Sequence, residues 1–245
     1  DWRGALRAEL NDPLKVVFQG AYPAACGERV WPVAYPAPRE FAARAVEGMW
    51  RELGGKLTGS VREGKVPAGL KPAFVSTSPA LAEVVRDVNK YSNNAMAQHV
   101  FLTLARQKNG VATLDGAPET LRPWWQARLA DVDAPAPDNG AGLSRDARIT
   151  AQALARMLQA AWASPVMPEL VASLPIAGVD GTLRRSQSRS AAHLKTGSLR
   201  DVMAVAGYVH AQSGRRYVLV AIVNHPNANA ARPVLDALTD WAAKD

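Results

Sequence analysis

The run His193-Leu194-Lys195-Thr196-Gly197-Ser198-Leu199 opens the part of the chain where strand-forming residues take over from helical spacing. Two β-branched runs follow it, Val202 to Val209 and Tyr217 to Val223. Their Val- and Ile-rich composition suits a pleated, half-buried surface. Ser213-Gly214 lies between them and reads as a hairpin turn, so the three runs predict an antiparallel sheet. Beyond it, Val234, Leu235, Leu238 and Trp241 recur at helical intervals within Ala230 to Ala243, which predicts a helix packed on the hairpin.

Upstream of that sheet the periodicity is helical. Asp180-Gly181 is a turn signal after Pro175, and helices are expected over Thr150 to Trp162 and Glu119 to Leu129, separated by the Pro- and Gly-rich stretch Ala134 to Leu143. Ser78-Pro79 reads as a cap and first-turn proline ahead of the stripe Leu81, Val84, Val85, Val88. A second stripe, Met96, Val100, Phe101, Leu104, begins directly after Ser92-Asn93-Asn94, so that polar cluster falls at a break between two helices. Arg39 to Leu53 carries Phe41, Ala45, Val46, Met49, Trp50 and Leu53 at helical spacing and stops at Gly54-Gly55. The first thirty-five residues offer one strand, Leu14 to Phe18, followed by a Gly- and Pro-punctuated connection. Helices in the middle and an antiparallel sheet near the end define an α/β (α+β) class, with an antiparallel sheet flanked by helices.

Bulk properties narrow the function classes. With 245 residues, 48% of them hydrophobic, the chain can bury a sizeable core. Lys and Arg exceed Asp and Glu by 29 to 22, a net charge of +7 that suits anionic surroundings such as a cell envelope. Apart from Arg184-Arg185 and Arg189 the cations are scattered, and no nucleic-acid-binding signature accompanies them, so nucleic acid is not an expected partner. Cys26 is the sole cysteine, which excludes an intrachain disulfide and a Cys-based zinc site; it reads as an inert thiol. His99, His193, His210 and His225 show no metal-ligand spacing, so neither a metal nor a cofactor is expected. Trp124-Trp125 on a helix reads as core packing.

Acyl transfer at neutral pH requires an activated nucleophile, a proton carrier for the leaving amine and donors for the developing oxyanion. One family divides these tasks among Ser-x-x-Lys, Ser-x-Asn and Lys-Thr-Gly elements. The second stands here as Ser92-Asn93-Asn94, between helices, and the third as Lys195-Thr196-Gly197, at the start of a strand. With Asn89 to Asn94, the loop Asp138 to Arg145, the stretch Leu174 to Leu183 and the run ending at Leu199, the chain resembles the class C low-molecular-mass penicillin-binding proteins. These are the D-alanyl-D-alanine carboxypeptidase/endopeptidases of the penicillin-binding protein 4 type, and the resemblance runs from about Gly20 to Trp241. The loop departs from the commoner Asp-Gly-Ser-Gly-Leu-Ser of that group by reading Asp138-Asn139-Gly140-Ala141-Gly142-Leu143-Ser144.

The resemblance implies a serine DD-peptidase-like transpeptidase fold and an envelope or periplasmic enzyme. Such an enzyme acts on peptidoglycan stem peptides through an acyl-enzyme and is inhibited by β-lactams. It implies that Ser92 relays a proton, that Asn94 bonds the substrate amide, and that Lys195 supplies charge for the substrate carboxylate. Thr196 would help hold that carboxylate, Gly197 would leave room for the substrate along the strand, the Ser198 N–H would serve the oxyanion, and Leu199 would join them as a substrate-binding residue. Leu143, Ser144 and Arg145 would line the pocket, where Arg145 could meet a peptide carboxylate. No Ser in the sequence has a Lys three residues later, so the nucleophile and its lysine are expected outside this chain, for instance on a companion amino-terminal fragment. Residues 1–20 would then be the remnant of an inserted domain or linker, and 21–245 the carboxy-terminal part of the penicillin-binding domain, inactive alone. A noncatalytic peptidoglycan-binding module and a class A β-lactamase are the alternatives.

Overall fold

The computed structural model describes residues 2–245, which divide into two compact units, one extending to Val75 and the other spanning Ser76–Asp245. In the first, strands β1 (Leu6–Asp12) and β2 (Lys15–Gly20) form an antiparallel hairpin. Its turn is fixed by Asp12, whose side chain accepts from the Leu14 N–H at 2.8 Å. Trp31 gathers Trp2 and Phe18 at ring separations of 5.6 and 5.5 Å. Helix α1 (Pro38–Glu52) follows, close to its expected bounds, and Phe41, Met49 and Trp50 of its apolar stripe are exposed.

The second unit carries the sheet. Strands β3 (Ala192–Leu199), β4 (Val202–His210) and β5 (Arg216–Asn224) pair antiparallel in the order β3-β4-β5, within two residues of the runs expected from sequence. Lys195 stands opposite Ala206, and Leu194 opposite Gly207. Gly207 has φ +156°, and a Cβ there would lie 2.1 Å from the His193 carbonyl oxygen, so β3 and β4 approach closely only because this residue has no side chain.

Each sheet face has its own helices. On one, Leu194, Val205, Val209 and Leu219 pack with Leu235 and Ala243 of helix α7 (Arg232–Ala243), as its spacing predicted. On the other, Tyr208 packs with Leu158 of helix α5 (Ala151–Trp162) and with Leu170 and Val171 of helix α6 (Met167–Ser173). The Tyr208 hydroxyl donates to the Leu158 carbonyl at 2.7 Å, and burial pushes its pKa up to about 12. Helices α2 (Leu81–Tyr91), α3 (Asn94–Asn109) and α4 (Leu121–Arg128) complete the unit. Trp125 is buried against Leu129 and Ala153. Its neighbour Trp124 is exposed, with the Arg128 guanidinium 5.4 Å above its ring, so only half of the tryptophan pair serves the core.

Three local expectations change. Ser78 and Pro79 lie outside α2; the Ala80 N–H ahead of the helix donates instead to the Glu83 carboxylate at 3.0 Å, a contact that stabilises the first turn. Strand β1 and helix α6 had no counterpart in the sequence pattern. Leu6 to Asp12 lacks β-branched residues, and α6 is seven residues long with a proline in its first turn.

Candidate active site

Ser92 ends α2 in the left-handed conformation (φ 54°), and the Asn93 N–H turns back to the Val88 carbonyl at 3.1 Å. A non-glycine residue held there costs about 1 kcal/mol, and such strain gathers at working sites. Asn93, not Ser92, caps the next helix, its side chain accepting from the Met96 N–H at 3.1 Å. The Ser92 hydroxyl is thereby left for other partners. It accepts from the Lys195 ammonium at 3.0 Å, a contact between residues 103 apart in sequence, and Lys195 donates also to the Thr196 carbonyl at 2.8 Å. Burial removes water from the Lys195 ammonium and lowers its pKa below the ordinary lysine range.

Strand β3 presents an edge. At its start the outer side is occupied: Leu194 N–H donates to the Pro175 carbonyl at 2.9 Å, and the Ala192 carbonyl accepts from Ala177 N–H at 3.0 Å. Because backbone groups alternate direction along a strand, the N–H and C=O groups of Thr196 and Ser198 face this same outer side, past the segment that covers 192 and 194. Gly197 and Ser198 are exposed, while Leu199 is half-buried. A Cβ on Gly197 would meet only the Ala204 Cβ, at an ordinary 3.6 Å, so the fold itself does not require glycine there.

The stretch Leu174 to Leu183 braces both sides. Lys90 forms an ion pair with Asp180 at 2.6 Å, and the other Asp180 oxygen accepts from the Ile176 N–H at 2.7 Å. Burial works to raise the Asp180 pKa, but the Lys90 hydrogen bond, the Ile176 N–H and the Lys90 charge outweigh it and hold the carboxyl below its usual value. Gly181 (φ +55°) lies against the end of α2, where a Cβ would be 2.4 Å from the Lys90 carbonyl oxygen. Thr182 Oγ1 then stands 2.7 Å from Thr196 Oγ1. Asn89 adds a tie from α2 to α6 through the Ser173 hydroxyl, at 2.8 Å. The contacts close a ring through Ser92, Lys195, Thr196, Thr182, Asp180 and Lys90.

The structure thus joins Ser92 to Lys195, with Thr196, Gly197, Ser198 and Leu199 following on the same strand. Asn94 is the exposed first residue of α3. The loop from Asp138 to Arg145 is docked on α3, where the Gly140 N–H donates to the Gln98 side chain at 2.8 Å. Within it Asn139 accepts from the N–H groups of Ala141 and Gly142, at 3.0 and 2.9 Å. Ser144 accepts from those of Asp146 and Ala147, at 2.9 and 3.1 Å. Leu143 and Arg145 are exposed, and among the described residues neither they nor Ser144 bond to Ser92 or Lys195. Lys90, Asp180 and Thr182 carry no role in the sequence reading. All three sit inside the segments Asn89 to Asn94 and Leu174 to Leu183, but their partnerships span 90 and 14 residues. Among the described residues no group of His, Cys, Asp and Glu side chains could hold a metal ion, and no helix is long and apolar enough to cross a membrane.

Comparison with known proteins gives a consistent pattern. The profile of the D-Ala-D-Ala carboxypeptidase 3 (S13) family matches residues 6–245. The chain is 29% identical over 206 residues to a D-alanyl-D-alanine carboxypeptidase of Actinomadura sp. (strain R39), covering 79% of this chain and 38% of that protein. It is 30% identical over 187 residues to the carboxypeptidase DacB of Mycolicibacterium smegmatis, covering 71% and 40%. The chain thus spans about two fifths of the length of these curated relatives. In fold it is similar to penicillin-binding protein 4 from Haemophilus influenzae, solved in complex with a β-lactam, with TM-score 0.74 and 21% identity over 96% of this chain and 59% of that one.

Proposed function

Because the chain belongs to the D-Ala-D-Ala carboxypeptidase 3 (S13) family and shares its fold with penicillin-binding protein 4, we propose that it forms the substrate-receiving half of a serine-type D-Ala-D-Ala carboxypeptidase/endopeptidase site. The enzyme acts on peptidoglycan peptides at the cell envelope and is acylated by β-lactams. Its nucleophilic Ser and accompanying Lys come from sequence other than these 245 residues, which contain no Ser-x-x-Lys. The observation that carries this reading is the 3.0 Å hydrogen bond from Lys195 to Ser92 beside the outer edge of β3.

The chemistry follows from the donors. A peptide lying along β3 adds an antiparallel strand at the edge beyond the 175–177 segment. The absence of a side chain at Gly197 lets its backbone come close. The Ser198 N–H points to that edge and stabilises the oxyanion as the scissile carbonyl becomes tetrahedral. Ser92 accepts from Lys195, so its own hydroxyl proton is directed away from Lys195 and passes to the leaving amine, while Ser92 takes up in return the proton that the Lys accompanying the nucleophile has removed from the attacking Ser. Lys195 and Thr196 hold the carboxylate of the departing D-Ala, and Asn94 bonds the amide on the acyl side. Arg145, exposed on the loop docked on α3, meets a carboxylate further along the stem peptide.

Intact-mass measurement of the full-length protein after incubation with penicillin tests this. One covalent adduct per molecule is expected, and Lys195→Ala should lower the acylation rate at least about 100-fold with folding retained. An unmodified wild-type protein would leave the noncatalytic binding module as the better reading.

A further inference from the structure

Thr182 is exposed, yet its backbone is fixed on both sides. Asp180 before it is pinned by Lys90 and by the Ile176 N–H, and Gly181 lies against the Lys90 carbonyl. Leu183 after it is buried in the core below the sheet, and its carbonyl accepts from Gly178 N–H at 3.0 Å. The freedom left to Thr182 is rotation of its side chain, and that side chain meets the Thr196 hydroxyl at 2.7 Å. Each hydroxyl has one proton and two acceptor sites, so within the pair only one can donate to the other. An anion beside Thr196 selects the arrangement in which Thr182 donates to Thr196 Oγ1 and Thr196 donates outward. The first bond then polarises the second.

Resting on the function proposed above, we infer that Thr182 is a positioning residue for the substrate's terminal carboxylate: it holds the Thr196 hydroxyl as an outward donor and so sets the preference for peptides with a free D-Ala carboxyl end over peptides whose end is blocked. The Lys90–Asp180 ion pair gives this device its rigidity, since it ties the turn carrying Thr182 to the helix end carrying Ser92.

The test uses the full-length protein with Thr182→Val and Thr182→Ser, and two peptides differing only at the carboxyl end, one a free D-Ala-D-Ala acid and the other its carboxamide. Thr182→Val is expected to cut kcat/KM for the acid about fivefold, chiefly through KM, and to shrink the acid-over-amide preference by the same factor. Thr182→Ser should restore both. Equal losses on the two peptides in Thr182→Val, or an unchanged preference, would overturn the inference and leave the proposed function standing. Wild-type protein that cleaves the two peptides equally well would also overturn it alone. Wild-type protein that cleaves neither refutes the proposed function, and the role of Thr182 falls with it.

Discussion

Replacing Asp180 by Asn keeps the shape of the side chain and an oxygen for the Ile176 N–H, but removes the charge that faces Lys90 at 2.6 Å. The Lys90 side chain is only 12% exposed, so the substitution leaves a sheltered ammonium without its counter-charge. Breaking a fully buried pair costs about 3–5 kcal/mol, whereas an exposed pair contributes about 0–1. Asp180 is 38% exposed, so solvent screens part of the interaction and the expected loss lies between these limits, at about 2 kcal/mol. With a urea slope of about 2 kcal/mol per molar, the unfolding midpoint should fall by about 1 M.

The pH dependence distinguishes charge from shape. Asp180 titrates below its usual value in the folded state, so its contribution is complete above the unfolded carboxylate pKa of about 3.9 and is lost as pH falls through the lower folded value. Urea unfolding followed by circular dichroism should therefore show the full gap between parent and Asp180→Asn at pH 7. That gap should persist to about pH 4 and close on further acidification. A variant within about 0.5 kcal/mol of its parent at pH 7, or a gap unchanged at low pH, would refute the reasoning.

Gly207→Ala places a methyl 2.1 Å from the His193 carbonyl oxygen and should destabilise the chain by more than about 3 kcal/mol, whereas Gly197→Ala, with 3.6 Å to its nearest neighbour, should leave the melting temperature nearly unchanged while slowing acylation of the full-length protein. Thermal melts of the pair check the contrast. Ser188 is fully buried and donates to Asp240 at 2.6 Å, so Ser188→Ala should cost about 1.5 kcal/mol in urea. Hydrogen bonds from Ser188 and Ser190 lower the Asp240 pKa, so the Ser188→Ala deficit should shrink as pH drops through that lowered value. Burial lowers the Lys195 pKa, so a step needing its charge should fail on the alkaline side at a lower pH than a free lysine near 10.4 would give. A pH profile of acylation with its alkaline limb at or above that value would contradict this.

The sheet was legible because its runs are dense in Val and Ile and its hairpin is marked by Ser213-Gly214. Helices α1, α5 and α7 were legible because their apolar residues keep one spacing for three turns or more. Helix α6 was not, since seven residues are too few to establish a period. Strand β1 was not, since its hydrogen bonds to β2 rather than its side chains make it a strand. In the site, Ser92 and Lys195 stand out as members of short motifs, but their contact is made by tertiary folding. The same holds for Lys90 with Asp180 and for Thr182 with Thr196, where no local pattern marks either partner. Which of Ser92 and Asn93 caps α3 was equally undetermined, because both side chains can accept from the first turn. The answer matters to the chemistry, since capping by Asn93 leaves the serine hydroxyl to Lys195.

Lys90 and Lys195 differ in their partners more than in their burial. Both are withdrawn from water. Lys90 meets the Asp180 carboxylate, so its charge is compensated within the chain and its role is to hold two segments together. Lys195 meets only neutral oxygens, the Ser92 hydroxyl and the Thr196 carbonyl, and among the described residues no carboxylate lies within ion-pair distance of it. Two hydrogen bonds offset part of the desolvation of an ammonium but supply no opposite charge, and the lowered pKa records the deficit. An anion arriving at the β3 edge would remove that deficit. Lys195 therefore has more to gain from a carboxylate than Lys90, as the proposed site requires if it is to bind the charged end of a peptide more strongly than a neutral one.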